Sequence, residues 1–110
     1  MVTRFALDDD EVDRIFRALA DATRRDILRR TLDGEASVSQ LASAYAMSFA
    51  AVQKHVAVLE GAGLVTKTPR GRERLVHGNP EALARARTLL YRYEQIWRGR
   101  TARLDALLTD

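Results

Sequence analysis

The chain has 110 residues, of which 46% are hydrophobic and 30% are charged, and it contains two histidines and no cysteine. This length fits a single domain, and the missing thiols exclude disulfides and cysteine-ligated metals. No apolar run reaches the ~18 residues of a membrane span, and the N-terminal sequence "MVTRFALDDDEVD" lacks the apolar core of a signal peptide. We therefore expect a cytoplasmic protein.

The formal net charge of +3 is spread unevenly along the chain. Residues 1–47 carry seven Arg against nine Asp and Glu, whereas residues 48–77 carry five Lys and Arg against two acids. Residues 78–110 carry six Arg against four acids. The basic excess suits a polyanionic partner, although basic faces that only meet solvent are also common.

The first 45 residues predict three helices. An amphipathic helix is expected from about Asp8 to Ala20, with an acidic first turn, because apolar residues repeat there at helical spacing, namely Val12, Ile15, Phe16 and Leu19. Asp21 is suited to cap a second helix that stops at Asp33-Gly34. Ser37 is suited to cap a short third helix that reaches Tyr45.

A fourth helix is predicted after a tight connection at Ala46-Met47, with Ser48 as its cap and Gly61 and Gly63 at its end. Its two faces differ in character. One face is apolar and suits a core, with Val52, Val56 and Leu59. The other is small, polar and basic, with Ala50, Gln53, Lys54 and Ala57.

A change of periodicity then predicts a hairpin followed by a long last helix. The β-prone runs "LVTKT" and "ERLVH" are joined by "PRGR", with Pro69 and Gly71 expected in the turn. Asn79-Pro80 is typical of a helix start. Gly99 predicts a bend or restart of this helix. Apolar residues approach a heptad pattern, interrupted by Arg100, at Leu83, Ala86, Leu90, Tyr93, Trp97, Leu104 and Leu107.

This order of elements predicts a mainly α fold with a small β-hairpin, a winged helix-turn-helix spanning residues 1–110 with its wing at about 64–77. A recognition helix docks by one face and offers the other to the DNA major groove. Gln can bond adenine, Lys can reach guanine or phosphate, and an Ala methyl can pack on thymine. A solvated helix surface explains the fourth helix equally well, but the basic hairpin that follows favours DNA contact.

No catalytic constellation is evident, so we expect no enzymatic activity. With only two histidines, His55 and His77, a metal site within one chain is not expected either, and we predict no cofactor. Tyr91, Tyr93 and Trp97 are interpreted as interface residues. A small-molecule effector between long helices, near Tyr91 and Trp97, is a further hypothesis.

The sequence resembles the ArsR/SmtB family of bacterial transcriptional repressors from about Phe16 to His77. The runs "FRALADATRRDILRRTLDGEASVSQLA" and "MSFAAVQKHVAVLEGAGLVTKTPRGRERLVH" carry the resemblance, most specifically in "KHVAVLEGAGLV" followed by "GRER". The tail "LLYRYEQIWRGRTARLDALL" is similar to a subgroup that lacks the metal sites of the family.

The resemblance implies a homodimeric repressor that pairs through about residues 8–20 and 80–108 and binds an inverted repeat, including at its own promoter. The implied interface residues are Val12, Phe16, Leu83, Leu90, Tyr93, Trp97, Leu104 and Leu107. Double-stranded DNA would contact the recognition-helix segment and the wing. The predicted DNA-binding residues are Ser37, Ser48, Phe49, Ala50, Gln53, Lys54, His55, Lys67, Arg70, Arg72 and Arg74.

Two departures from the family pattern argue against metal sensing through its known sites. Ser37-Val38-Ser39 stands where metal sensors carry a Cys-x-Cys pair, and no histidine follows His77 to build a site on the last helix. Ala22 replaces a usual proline at the start of the second helix. The competing hypothesis from another class is a winged-helix module that binds a protein partner and no specific DNA.

Overall fold

A computed structural model describes residues 8–108. The chain contains five helices and three strands in this range. They are α1 (Asp9–Leu19), α2 (Ala22–Asp33), β1 (Ala36–Ser37), α3 (Val38–Ser43), α4 (Phe49–Gly61), β2 (Val65–Arg70), β3 (Glu73–Gly78) and α5 (Pro80–Leu108). The predicted order of helices and hairpin is confirmed, and β1 is an additional strand that the sequence analysis did not predict.

The helix starts lie at the predicted caps because each capping side chain accepts a backbone N–H that the first turn leaves unsatisfied. Asp21 caps α2 and Ser48 caps α4, as predicted, and Asp8, which was expected within the first turn, caps α1. Ser37 and Gln40 form a reciprocal capping box at the start of α3. These bonds are local in sequence, which explains why the starts could be predicted.

The end of α4 fixes the direction in which the hairpin leaves the helix. Gly63 adopts φ +75°, a conformation that glycine reaches without steric cost. Its N–H bonds to the Glu60 carbonyl at 2.9 Å, and the N–H of Leu64 bonds to the Leu59 carbonyl at 3.0 Å. This pair of bonds is a Schellman motif, and it turns the chain directly from α4 into β2.

The connection between α3 and α4 is longer than predicted. Helix α3 ends at Ser43, so Tyr45 lies in a loop rather than in the helix, and the tight two-residue connection was wrong. A tertiary contact explains the difference. The Tyr45 hydroxyl donates to Oδ2 of Asp26 on α2 at 2.5 Å, and the Arg30 guanidinium stacks 5.6 Å from the centre of the Tyr45 ring.

The three strands form an antiparallel sheet in the order β1-β3-β2. The placement of Pro69 in the turn was wrong, because Pro69 lies within β2 opposite Arg74. The turn consists of Gly71 and Arg72, with Gly71 at φ +63°, which suits a two-residue hairpin with glycine first. Strand β2 is an edge strand, where the missing proline N–H interrupts no second ladder.

The core lies between α1, α2, α4 and the sheet, and only the start of α5 joins it. The fully buried large side chains are Ile15, Ile27, Val52, Val56, Leu59, Leu64, Val65 and Val76. Within α5 only Ala82 and Ala86 are buried. This helix has 29 residues, about 43 Å of length at 1.5 Å per residue. It continues through Gly99 without a restart, since one glycine costs only ~1 kcal/mol in a helix interior.

Candidate nucleic-acid interface

The two predicted faces of α4 are present in the structure. Val52, Val56 and Leu59 are completely buried and fix the helix to the core. The opposite face is open to solvent and consists of Ala50, Gln53, Lys54 and Ala57. Lys54 forms no ion pair with any other residue between 8 and 108. The exposed face of α4 therefore carries small side chains and one available cation, as a helix that enters a DNA groove requires.

Helices α3 and α4 and the hairpin together line one groove, which we call the α4–wing groove. Its lining includes Ser37, Val38, Ser39, Phe49, Gln53, Lys67, Arg72, Glu73 and Arg74. Gln53 of α4 thus shares one concavity with Arg72 and Arg74 of the wing, although these residues are distant in sequence. Three cations against one acid make this groove electropositive, which favours a polyanion.

The cations of the wing fall into two groups. Arg72 and Arg74 are exposed, and within the described part of the chain neither has an acidic partner. Arg70 instead faces Glu35 at 3.4 Å, and Lys67 faces Glu60 at 3.4 Å. The Arg70 pair is largely exposed and is therefore worth little, whereas the Lys67 side chain is only 21% exposed. Arg72 and Arg74 are thus the wing cations most available to phosphate.

Two serines predicted as DNA contacts have helix-capping roles. Ser37 is 1% exposed, and its hydroxyl oxygen accepts the N–H of Gln40. Its prediction as a DNA contact is therefore corrected: Ser37 positions α3 from below the surface. Ser48 is exposed while its hydroxyl oxygen accepts the N–H of Ala51. Phe49 follows it, with 47% of its area exposed in the first turn of α4.

His55 lies on the flank of α4 and is half-buried, and its partner is Arg24. The backbone N–H of Arg24 also donates to Asp21 at 3.0 Å, and this bond holds the pKa of Asp21 below its ordinary value. Sequence reasoning did not single out Arg24. It reads as an ordinary first-turn residue of α2, and no local signal joins it to a residue 31 positions away.

A polar cluster on α2 anchors the loop that precedes α4. Hydrogen bonds from Arg30, Tyr45 and Arg29 hold the pKa of Asp26 well below its ordinary range. Burial, together with the bond to Asp26, raises the pKa of Tyr45 to about 12. The cluster ties the helix-turn-helix loop to α2 and was also missed, because its members are brought together only by the tertiary fold.

The residues predicted for a dimer interface divide into two groups. Phe16 and Leu83 pack partly against the core of their own chain, and Val12 is half-buried. The others are at least half exposed along α5, namely Leu90, Tyr93, Trp97, Leu104 and Leu107. Tyr91, Ile96 and Leu108 are also exposed on α5. Of these three, Tyr91 was also interpreted as an interface residue from the sequence, whereas Ile96 and Leu108 were not.

Two absences hold for residues 8–108. No three His, Cys, Asp or Glu side chains there are grouped to hold a metal ion. None of the helices in that range combines the length and the apolar character that crossing a bilayer requires.

Comparison with known proteins bears on this arrangement. A helix-turn-helix domain family matches residues 19–68. The HTH-type transcriptional regulator Rv2034 of Mycobacterium tuberculosis is 42% identical over 81 residues, which cover 74% of this chain and 76% of that protein. The crystal structure of an ArsR family transcriptional regulator superposes with a TM-score of 0.79 at 32% identity, covering 84% of this chain and 96% of that one. The chain belongs to the ArsR family of transcriptional regulators.

Membership of the ArsR family confirms the predicted winged helix-turn-helix and its function as a DNA-binding transcriptional regulator. A further structural neighbour is the homodimeric winged helix-turn-helix DNA-binding domain of Mb0332 from Mycobacterium bovis. It aligns with a TM-score of 0.63 at 26% identity, over 79% of this chain and 82% of that one. These relatives are regulators rather than enzymes.

Proposed function

We propose that this ArsR-family regulator is a homodimeric repressor that binds an inverted-repeat operator, including one at its own promoter. The observation that carries the proposal is the α4–wing groove, in which Phe49 and Gln53 of α4 and the wing cations share one concavity. In this arrangement α4 enters the major groove, while the wing follows the adjacent phosphates. Release from DNA does not depend on a metal bound at the known sites of the family.

On the surface formed by α4 and the wing, different residues carry sequence preference and general affinity. Gln53 and Lys54 lie on the exposed face of α4 and can reach base edges. Arg72 and Arg74 lie on the projecting hairpin without acidic partners among residues 8–108, and therefore suit phosphate contacts, which add affinity for every sequence.

Dimerisation is supported by the exposed apolar surface of α5 and by the homodimeric Mycobacterium bovis neighbour. Helix α1 lies beside the start of α5, where Arg85 pairs with Glu11 at 2.7 Å. We propose that α1 and α5 of two protomers pair and thereby set the distance between the two α4 helices. A two-fold dimer of this kind matches a two-fold symmetric operator.

A mobility-shift titration against the upstream region of the gene and a library of genomic fragments tests the proposal. Replacing Gln53 and Lys54 together by alanine is expected to abolish the preference for the best fragment over random DNA. Arg72→Ala should weaken binding to all sequences and reduce the salt slope by about one. Arg98→Ala removes a cation outside the groove, paired with Glu94 on α5, and serves as the control.

The absence of specific binding to any fragment at low salt would refute the proposed function. In that case a stoichiometric, nuclease-insensitive protein partner in a pull-down would identify the chain as an interaction module.

Control by a small molecule is a separate hypothesis. Trp97 is the single tryptophan and is 61% exposed, so its fluorescence reports ligands near α5, and a flat response across a broad panel would contradict an effector there.

A further inference from the structure

Arg24 joins three segments of the chain at the flank of α4. Its Nε donates to the carbonyl of Ala18 at 2.8 Å, and its Nη2 donates to the carbonyl of Arg17 at 2.9 Å. Its Nη1 lies 3.3 Å from Nδ1 of His55. One guanidinium therefore binds the last turn of α1 and the middle of α4 at the same time, from the first turn of α2.

The contact with His55 also decides where the imidazole proton lies. A guanidinium carries five donors and no acceptor, and it stays protonated in proteins. Nδ1 of His55 must therefore accept the bond from Arg24. A neutral imidazole has a single N–H, so the proton resides on Nε2, and the free side of the ring is a hydrogen-bond donor.

The donor side of the ring reaches the surface. Among residues 8–108, no side-chain nitrogen or oxygen that is buried lacks a hydrogen-bond partner. Nε2 of His55 bonds to none of these residues, so it is accessible to solvent rather than enclosed. His55 lies on the flank of α4 turned away from Gln53 and outside the lining of the α4–wing groove, so the phosphate that it would meet lies on the other side of α4 from the wing.

We infer that Arg24 is a positioning residue of the DNA-binding surface, which sets His55 as an N–H donor toward a DNA phosphate while holding α4 against α1. This inference rests on the proposed function. Arg24 does not touch DNA in this role. It acts through the tautomer of His55, and that feature distinguishes it from a residue that only stabilises the fold.

Arg24→Lys is the informative variant, since it keeps the positive charge but cannot keep three separate bonds. Arg25→Lys is a matched control. Arg25 is the next residue of α2 and also donates to a carbonyl at the end of α1, that of Leu19 at 2.7 Å, but its contact does not include His55. A purely structural effect of losing a bond to α1 should appear in both variants.

The first measurement is the tautomer of His55 in the free protein, from long-range nitrogen–proton correlations near pH ~8, where an ordinary histidine is neutral. We expect the Nε2–H form in the wild type and in Arg25→Lys. We expect a mixture of both tautomers in Arg24→Lys. A wild-type His55 that carries its proton on Nδ1 would overturn the inference without reference to DNA.

The second measurement is affinity for the operator fragment. Arg24→Lys and His55→Ala should each weaken binding by roughly three- to tenfold, the range of one phosphate hydrogen bond, and the double variant should be no weaker than His55→Ala. The role of Arg24 would be overturned if the losses of affinity in Arg24→Lys and His55→Ala added up in the double variant. It would also be overturned if Arg24→Lys bound as tightly as the wild type while the Gln53 and Lys54 variants still impaired binding. If the wild type binds no DNA, the proposed function itself fails, whatever the tautomer.

Discussion

Helices α4 and α5 both repeat apolar residues at three- and four-residue spacing, but only α4 finds partners for all of its apolar face within its own chain. Leu59 of α4 is 0% exposed, whereas Leu104 of α5 is 51% exposed. The comparison shows that periodicity identifies the face of a helix that will be covered. It does not identify whether the cover comes from the same chain.

The difference arises from where each helix runs. Helix α4 lies between α1, α2 and the sheet, so its apolar face meets other elements along its whole length. Helix α5 leaves the core after Ala86 and continues to Leu108, about 33 Å further. An apolar stripe of this length on a projecting helix is typical of an interaction surface, and we propose that a second copy covers it.

The largest effect on stability is expected from Leu59→Ala, which breaks the α4 side of the comparison. Removing a fully buried leucine side chain leaves a cavity and costs about 2–5 kcal/mol of the free energy of unfolding. Chemical denaturation followed by circular dichroism measures the loss. Leu104→Ala is the control, and at low protein concentration it should cost less than about 1 kcal/mol. Equal losses at the two positions would contradict the comparison.

The same comparison predicts that α5 governs self-association. Leu104→Glu places a carboxylate within the proposed apolar interface and should raise the dimer dissociation constant at least about tenfold, equivalent to ~1.4 kcal/mol. Sedimentation equilibrium measures this constant. Ala102→Glu introduces the same charge on the opposite face of α5 and should leave the dimer intact. A Leu104→Glu dimer as tight as the wild type would refute pairing through this stripe.

Gly78→Ala tests how closely β3 packs on α2, on the core side of the comparison. A methyl group at Gly78 would lie 2.7 Å from Cγ of Leu32 and 2.9 Å from its backbone nitrogen. Because a backbone atom cannot move aside freely, we expect a loss of about 1–3 kcal/mol. Gly61→Ala, where no atom lies within 4 Å, should be neutral or stabilising because alanine favours a helix. Thermal unfolding of both variants separates the outcomes.

The parts of the fold and site that could be predicted from the sequence are those decided by neighbouring residues. Caps at Asp21 and Ser48 bond backbone groups three residues away, and the exposed face of α4 follows from helical spacing. Tyr45, Pro69 and Arg24 escaped prediction for the opposite reason. Tyr45 is placed by its bond to Asp26, Pro69 by its position on the edge of the sheet, and Arg24 by its contact with His55. No local sequence pattern encodes contacts between such distant residues.

The smallest effect concerns the bond between Tyr45 and Asp26. Tyr45→Phe should cost roughly 1–2 kcal/mol near neutral pH, since a hydrogen bond to a carboxylate is lost. The pKa of Tyr45 is raised from 10.0 to about 12, so the unfolded chain loses this proton at lower pH than the folded chain does. The contribution of Tyr45 to the free energy of unfolding is therefore fully present below pH 10 and is lost as the pH rises toward 12. Denaturation at several pH values should show that decline in the wild type and a smaller one in Tyr45→Phe. Parallel curves would mean that the Asp26 contact does not hold Tyr45 protonated, and that the loop before α4 is fixed by packing of its ring.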